Sequence, residues 1–339
     1  MSGGPVTDAP KFTQLPDLAV RSLGGSVVWA NDESFAEKEN LIRPLPPGFS
    51  PATFGHKGQV YDGWETRRRR EPGCDEAIVR LGVPGVIHGV VVDTAFFTGN
   101  YPPEISLEAA AVAGYPSPEA LRDEAKWEPL VLRTAVTGDS ANMFPVSDER
   151  RFTHVKLTLI PDGGVARLRV HGYGVPDPEF LAAGPVDVAA LENGGHVTGC
   201  SNWFYSSPHN LLMPGYARVM GDGWETSRRR FSPGEWESSN DWVEVHLAAE
   251  AALRVVELDT TCFLHNAPGA ASVRGRVGDE WVELLPRTAL QPDTRHRFRV
   301  EAAGVTDLRL DIYPDGGLSR LRAWGTLTPA GLAALTEPR

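Results

Sequence analysis

Three cysteines in 339 residues, Cys74, Cys200 and Cys262, are odd in number and far apart, which excludes a disulfide framework and any C-x-x-C metal or redox pair. No apolar run approaches the ~18 consecutive residues that a membrane span requires. Residues 1–14 lack a basic segment followed by an apolar one, so no secretory signal is read there. Basic charge is also scarce: 33 Lys and Arg stand against 44 Asp and Glu, a net charge of −11, which disfavours a nucleic-acid backbone as partner. Helical periodicity is limited to two short candidates, 118–126 and 181–191. A cytoplasmic protein without nucleic-acid or membrane partners is the expectation.

Signatures of familiar chemistries are missing too. There is no Gly-x-Ser-x-Gly elbow and no readable Cys–His relation. Gly172-x-Gly174 and Gly221-x-Gly223 lack the third glycine and the strand-to-helix setting of a dinucleotide site. None of the nine histidines pairs with another His or Cys at ligand spacing, so no zinc site is legible. No cofactor is expected, with divalent-metal stimulation left open.

Turn chemistry is plentiful, with 35 glycines and 28 prolines, and the chain aligns with itself. Asp62-Gly-Trp-Glu-Thr-Arg-Arg-Arg-Arg70 recurs as Asp222-Gly-Trp-Glu-Thr-Ser-Arg-Arg-Arg230, identical at eight of nine positions. Pro161-Asp-Gly-Gly164 with Arg167-Leu-Arg169 and Gly172 recurs as Pro314-Asp-Gly-Gly317 with Arg320-Leu-Arg322 and Gly325. Asp93-Thr94, Phe97 and Asn100 are echoed by Asp259-Thr260, Phe263 and Asn266, and Gly24-Gly25, Asn40-Leu41 and Pro44 by Gly194-Gly195, Asn210-Leu211 and Pro214. The offset along these blocks runs 170, 160, 166 and 153, so insertions fall between them. The organisation is therefore an N-terminal extension over 1–16, a first domain over 17–175, a Pro-rich linker over 176–186 and a second domain over 187–339.

Each half reads as β structure. The run 90–97 is β-branched and aromatic, and Val155, Leu157 and Leu159 alternate with Lys156 and Thr158, as Leu308, Leu310 and Ile312 do with Arg309 and Asp311. Pro-Asp-Gly-Gly then reads as the apex of a hairpin returning through 166–170. Short strands and frequent turns predict an all-β chain of two similar antiparallel sandwiches.

Several long blocks in order resemble the allantoicase (allantoate amidinohydrolase) family: Leu23-Gly-Gly-Ser-Val-Val28, Val60-Tyr-Asp-Gly-Trp-Glu-Thr-Arg-Arg-Arg69, Ala77-Ile-Val-Arg-Leu-Gly82, Asp93-Thr-Ala-Phe-Phe-Thr-Gly-Asn-Tyr-Pro102, Asn210-Leu-Leu-Met-Pro-Gly215 and Met220-Gly-Asp-Gly-Trp-Glu-Thr226. The chain departs from the family pattern at Cys74-Asp-Glu76 and at Ser201-Asn-Trp-Phe204. The resemblance implies tandem jelly-roll domains of the discoidin or galactose-binding-like kind. It also implies hydrolysis of allantoate to ureidoglycolate and urea in purine catabolism, by a homo-oligomer.

That chemistry needs a carboxylate clamp, a general acid for the leaving ureido nitrogen and a base to guide water. The residues offer Glu65, Glu225, Asp93 and Asp259 as acid/base candidates. Arg68, Arg69, Arg228 and Arg229 are candidate forks for the substrate carboxylate, with Trp64, Trp224, Asn100, His265 and Asn266 as further substrate contacts. The competing assignment for the Trp and Asp-Gly pairs is core anchor and turn, for the Arg runs a solvated face, and for Asp93 and Asp259 a loop bond. Asp162 and Asp315 read as turn residues. Two other functional readings stay open: a non-catalytic tandem galactose-binding-like protein, and an assembly partner contacting another protein through both Arg loops.

Overall fold

The computed structural model describes residues 9–229 and 240–336. Arg230, the start of the N-terminal extension and the last three residues of the second domain lie outside the described residues. The chain divides into two units, one spanning Pro10–Val175 and the other taking in Pro176–Arg339. Each is an all-β jelly-roll sandwich of the galactose-binding-like kind, built on one seven-stranded antiparallel sheet system. No helix among the described residues is long and apolar enough to cross a membrane.

In the first unit one 19-residue strand, Asp75–Asp93, organises the rest. Its opening residues pair with Ser26–Ala30 and Arg151–Ile160, and its closing residues with Arg167–Gly174 and Ala141–Pro145. The register against Arg151–Ile160 shifts between Arg80 and Gly85, where Gly82 and Pro84 interrupt a flat ladder. One strand thus feeds two layers, a common way for a sandwich to turn its corners. Alternate residues, Ala77, Val79, Leu81 and Val83, are buried, and Val155, Leu157, Ile105 and Leu107 of the neighbouring strands are buried with them. Each of these Val, Leu and Ile side chains contributes roughly 1.5–3 kcal/mol when removed from water. The second unit repeats the plan on Asp241–Asp259, flanked by Arg295–Tyr313 and Arg320–Leu327.

Several local expectations are corrected. Pro-Asp-Gly-Gly is not a hairpin apex: Arg151–Ile160 and Arg167–Gly174 do not pair with each other but lie on opposite sides of Asp75–Asp93. The segment is a corner, entered through a cis Ile160–Pro161 bond (Tyr313–Pro314 in the second unit). The strand in 90–97 stops at Asp93, because the Asp93 carboxylate accepts the Ala95 N–H at 2.9 Å and the chain turns through Phe96 at φ 69°. The first helix candidate forms as Pro118–Glu124, capped by Ser117. The second forms earlier, as Pro178–Ala182 capped by Asp177, and Pro185 diverts the chain into the strand Val186–Asp187. A C-terminal helix, Pro329–Thr336, was not foreseen.

Candidate functional site

The two recurrent blocks of each half recur together because they touch. Trp64–Glu65 pairs with Gly164–Val165 and Trp224–Glu225 with Gly317–Leu318, so the Asp-Gly-Trp-Glu-Thr segment grips the Pro-Asp-Gly-Gly corner. Thr66 exchanges N–H and Oγ1 bonds with Gly163, as Thr226 does with Gly316. The fit is close: a Cβ on Gly63 would meet Phe97 and the Val165 carbonyl at 2.7 Å.

Trp64 and Trp224 are fully buried, and each indole N–H donates to a backbone carbonyl, of Asp32 and Asn202 respectively, at 2.8 Å. They anchor the motif from within the core, so their expected place against substrate is corrected. Glu65 and Glu225, one residue on, meet another recurrent element, Asn100 and Asn266. Asn100 Nδ2 donates to Glu65 Oε1 at 2.7 Å, and Asn266 Nδ2 to Glu225 Oε1 at 2.7 Å. Burial pushes the Glu65 carboxyl above the ordinary glutamate range, and the Asn100 bond only partly opposes this.

Asp93 and Asp259 sit where their strands end. Asp93 accepts from Ala95 N–H, and Asp259 from both the N–H and hydroxyl of Thr261. Burial raises the Asp93 carboxyl against the pull of Arg169 and Arg167. Both carboxylates hold turns in place.

The arginine three residues after the motif threonine is committed twice in each half. Arg69 donates its backbone N–H to Asp162 at 2.7 Å and Nε to the buried Asp75 at 2.9 Å. Arg229 donates its N–H to Asp315 and its Nη2 to the buried Asp241 at 2.7 Å. Arg68, Arg228 and His265 are exposed. The structure thus brings Glu65 to Asn100 and Glu225 to Asn266, and ties Arg69 and Arg229 into the frame.

Two arginines escaped the sequence reading. Arg167, 1% exposed, donates Nη1 to the Asp62 carbonyl and Nη2 to the Asp62 carboxylate at 2.7 Å. Arg320 plays the same part on the Asp222 carbonyl, and burial with Arg322 beside it brings it down to about 10. Their recurrence in Arg-Leu-Arg was the available signal. Arg43 bridges Asp62 at 3.0 Å and has no recurrent counterpart to mark it. Burial works against the Asp62 carboxylate, but Arg167, Gly48 N–H and Arg43 together hold it below the usual range. Among the described residues, no group of three or more His, Cys, Asp or Glu stands ready to hold a metal ion.

Comparison with known proteins places this framework. The allantoicase repeat model matches twice, over residues 16–175 and 186–328. The chain is 62% identical over 324 residues to a probable allantoicase of Nocardia farcinica, covering 94% of this chain and 97% of that one. It is 40% identical over 332 residues to the allantoicase of Dictyostelium discoideum, covering 93% and 88%. The crystal structure of the Saccharomyces cerevisiae allantoicase superposes with a TM-score of 0.82 at 34% identity, covering 95% of this chain and 98% of that one. On these matches across nearly its whole length, the chain belongs to the allantoicase family.

Proposed function

We propose that this protein hydrolyses allantoate to ureidoglycolate and urea, and that the Glu–Asn pair beside the Pro-Asp-Gly-Gly corner supplies the proton chemistry. The observation that carries the reading is full-length similarity to allantoicases together with a glutamate held at 2.7 Å by an asparagine in each repeat. The enzyme class is a hydrolase acting on carbon–nitrogen bonds in linear amidines.

The chemistry follows from the substrate. One ureido nitrogen of allantoate pushes its electron pair toward the central carbon as the opposite carbon–nitrogen bond breaks. A protonated Glu gives its proton to the departing nitrogen, which leaves as urea. Water then adds to the carbon of the resulting N-acyliminium ion, and the same carboxylate, now ionised, takes the proton that water gives up. The Asn amide bonds Oε1 and leaves Oε2 as the oxygen to carry the transferable proton. A desolvated glutamate such as Glu65 keeps its proton to higher pH, which suits an acid working near neutrality; such a group contributes typically ~10²–10⁴-fold in rate. An arginine fork holds the substrate carboxylate.

A homo-oligomeric assembly and a cytoplasmic location belong to the same proposal. Nothing in the comparisons favours a protein that only binds ligands. The test is to incubate purified, metal-stripped protein with allantoate and follow urea and ureidoglycolate together, with and without Mn²⁺. Equal yields of both products support the reading, and the two metal conditions show whether a divalent ion adds to protein acid/base chemistry. Absence of both products under either condition refutes it.

A further inference from the structure

The two repeats are not equivalent around their Glu–Asn pairs, and one difference lies in the segment that leads into the Asp-Gly-Trp-Glu-Thr block. Gly48 N–H donates to Asp62 Oδ2 at 3.0 Å, and Arg218 N–H donates to Asp222 Oδ2 at 2.9 Å. Residues 48 and 218 therefore correspond at an offset of 170, while Asp62 and Asp222 correspond at 160. Ten residues are inserted in the first repeat at this point, and they include the small hairpin Phe54–Gly55 with Gly58–Gln59. With that register, Arg43, Phe49, Tyr61 and Phe96 of the first repeat correspond in sequence to Met213, Val219, Gly221 and Cys262 of the second.

The residues special to the first repeat form one assembly. Phe97, buried beneath Gly164, starts a run of near-parallel rings: Tyr61 stacks on Phe97 at 4.9 Å, Phe49 on Tyr61 at 5.5 Å and Phe96 on Phe49 at 5.5 Å. Gly164 is the residue that pairs with Glu65 and donates its N–H to the Asn100 carbonyl, so the stack begins at the acid pair. It ends at Phe96, 39% exposed and fixed in a left-handed turn by the Asp139 carboxylate on its N–H at 2.7 Å. A bulky aromatic held at φ 69° with its ring toward solvent is a costly arrangement for a surface residue. Arg43 completes the rim. Its Nη1 bonds Asp62 and Asn40, its side chain is 57% exposed, and its other N–H donors form the planar edge that fits a carboxylate. In the second repeat the corresponding residue is Met213; the arginine on Asp222 is Arg218, which engages that carboxylate through Nε at 3.5 Å rather than through Nη1, and Arg295 is drawn to Tyr216 and Glu257.

We infer that turnover belongs to the first repeat, where Arg43 takes the substrate carboxylate and the Phe49–Tyr61–Phe96 stack takes a planar ureido group beside Glu65 and Asn100. This rests on the hydrolase reading above. The second repeat keeps the Glu225–Asn266 frame but has Met213 in place of Arg43 and Val219, Gly221 and Cys262 in place of the stacked rings, so it holds the fold and contributes less to the reaction.

The test exchanges each rim residue for the one the second repeat carries at the same backbone position. Arg43→Met should raise KM for allantoate roughly 10–100-fold, the range of a lost charge-assisted bond. Phe96→Cys should raise KM about 5–10-fold with kcat within about threefold, a loss of stacking and apolar contact. Glu65→Gln should lower kcat at least ~100-fold and Glu225→Gln by less than ~10-fold. Thermal unfolding of each variant separates misfolding from loss of function. Calorimetric binding of hydantoate, a carboxylate bearing one ureido group, provides a readout independent of turnover, and Arg43→Met and Phe96→Cys should both weaken it. A wild-type protein that binds hydantoate through these residues but yields no urea would refute the hydrolase reading while leaving the site. A larger loss in Glu225→Gln than in Glu65→Gln, or unchanged KM and hydantoate affinity in a folded Arg43→Met, would overturn the inference.

Discussion

The side-chain amide of Asn100 donates to Glu65 Oε1 at 2.7 Å across 35 residues of sequence. This bond favours the ionised carboxylate, whereas burial, the larger influence, favours the neutral acid. Asn100→Ala removes the opposing influence, so the pKa of Glu65 rises further. The limb on which kcat/KM falls as the acid deprotonates should move to higher pH than in wild type. A pH–rate profile of the two proteins reads this directly; a limb that stays in place would show that Glu65 is not the titrating acid.

The same burial carries a stability cost of known sign. The folded-state pKa of Glu65 lies above its unfolded value, so its contribution to stability is present below the unfolded pKa and is lost as pH rises through the folded one. Glu65→Gln has no such proton to lose. Relative to wild type, that variant should gain stability as pH rises from the ordinary glutamate range toward neutrality, measured as the difference in urea midpoints at several pH values.

His154 gives the opposite dependence. Burial, with the nearby Arg80 charge, brings its imidazole down to about 4, and its Nδ1 lies 2.8 Å from the Thr153 hydroxyl. A histidine buried neutral stabilises the fold above its unfolded pKa, and that stabilisation is lost as pH falls from about 6.5 toward about 4. The loss is on the order of 2–3 kcal/mol. Replacement by Gln should flatten the acid side of the stability curve, which denaturant titrations between pH 7 and pH 4 would show.

Trp224 tests the anchoring role without touching the acid pair of the first repeat. Phe in its place keeps most of the apolar volume but leaves the Asn202 carbonyl without its indole donor. Asn202 is half-buried, and losing such a hydrogen bond costs ~0.5–1.5 kcal/mol. Trp224→Phe should lower unfolding stability by about that amount while KM for allantoate changes less than twofold.

Recurrence made much of the frame legible. Asp-Gly-Trp-Glu-Thr and Pro-Asp-Gly-Gly stand in both halves because they grip each other, and alternation in 155–159 and 308–312 marks strands with one buried face. Contact across the chain was not legible. Glu65 and Asn100 were both singled out, yet nothing in their spacing says that they bond, and the corner resembles a hairpin until its strands are seen to flank a third. Arg167 and Arg320 recur, but in sequence they mark only the duplication, since burial of a cation is visible only once its carbonyl partners are assembled. Arg43, Phe49, Tyr61 and Phe96 were hidden for the opposite reason: self-alignment highlights what two halves share and passes over what one half alone has acquired.

The grip of Thr66 and Arg69 on the corner joins residues 97 and 93 positions apart. A growing polypeptide cannot make those bonds until the corner at Asp162 and Gly163 has been synthesised, and the strand Arg167–Gly174 that completes the sheet comes later still. The Asp75–Asp93 strand must wait through that interval with one side of its ladder open. The strand of equal length in the second half, Asp241–Asp259, leaves the ribosome only after Arg167–Gly174, so the order of the chain lets the first sheet close before its counterpart can compete for that open edge.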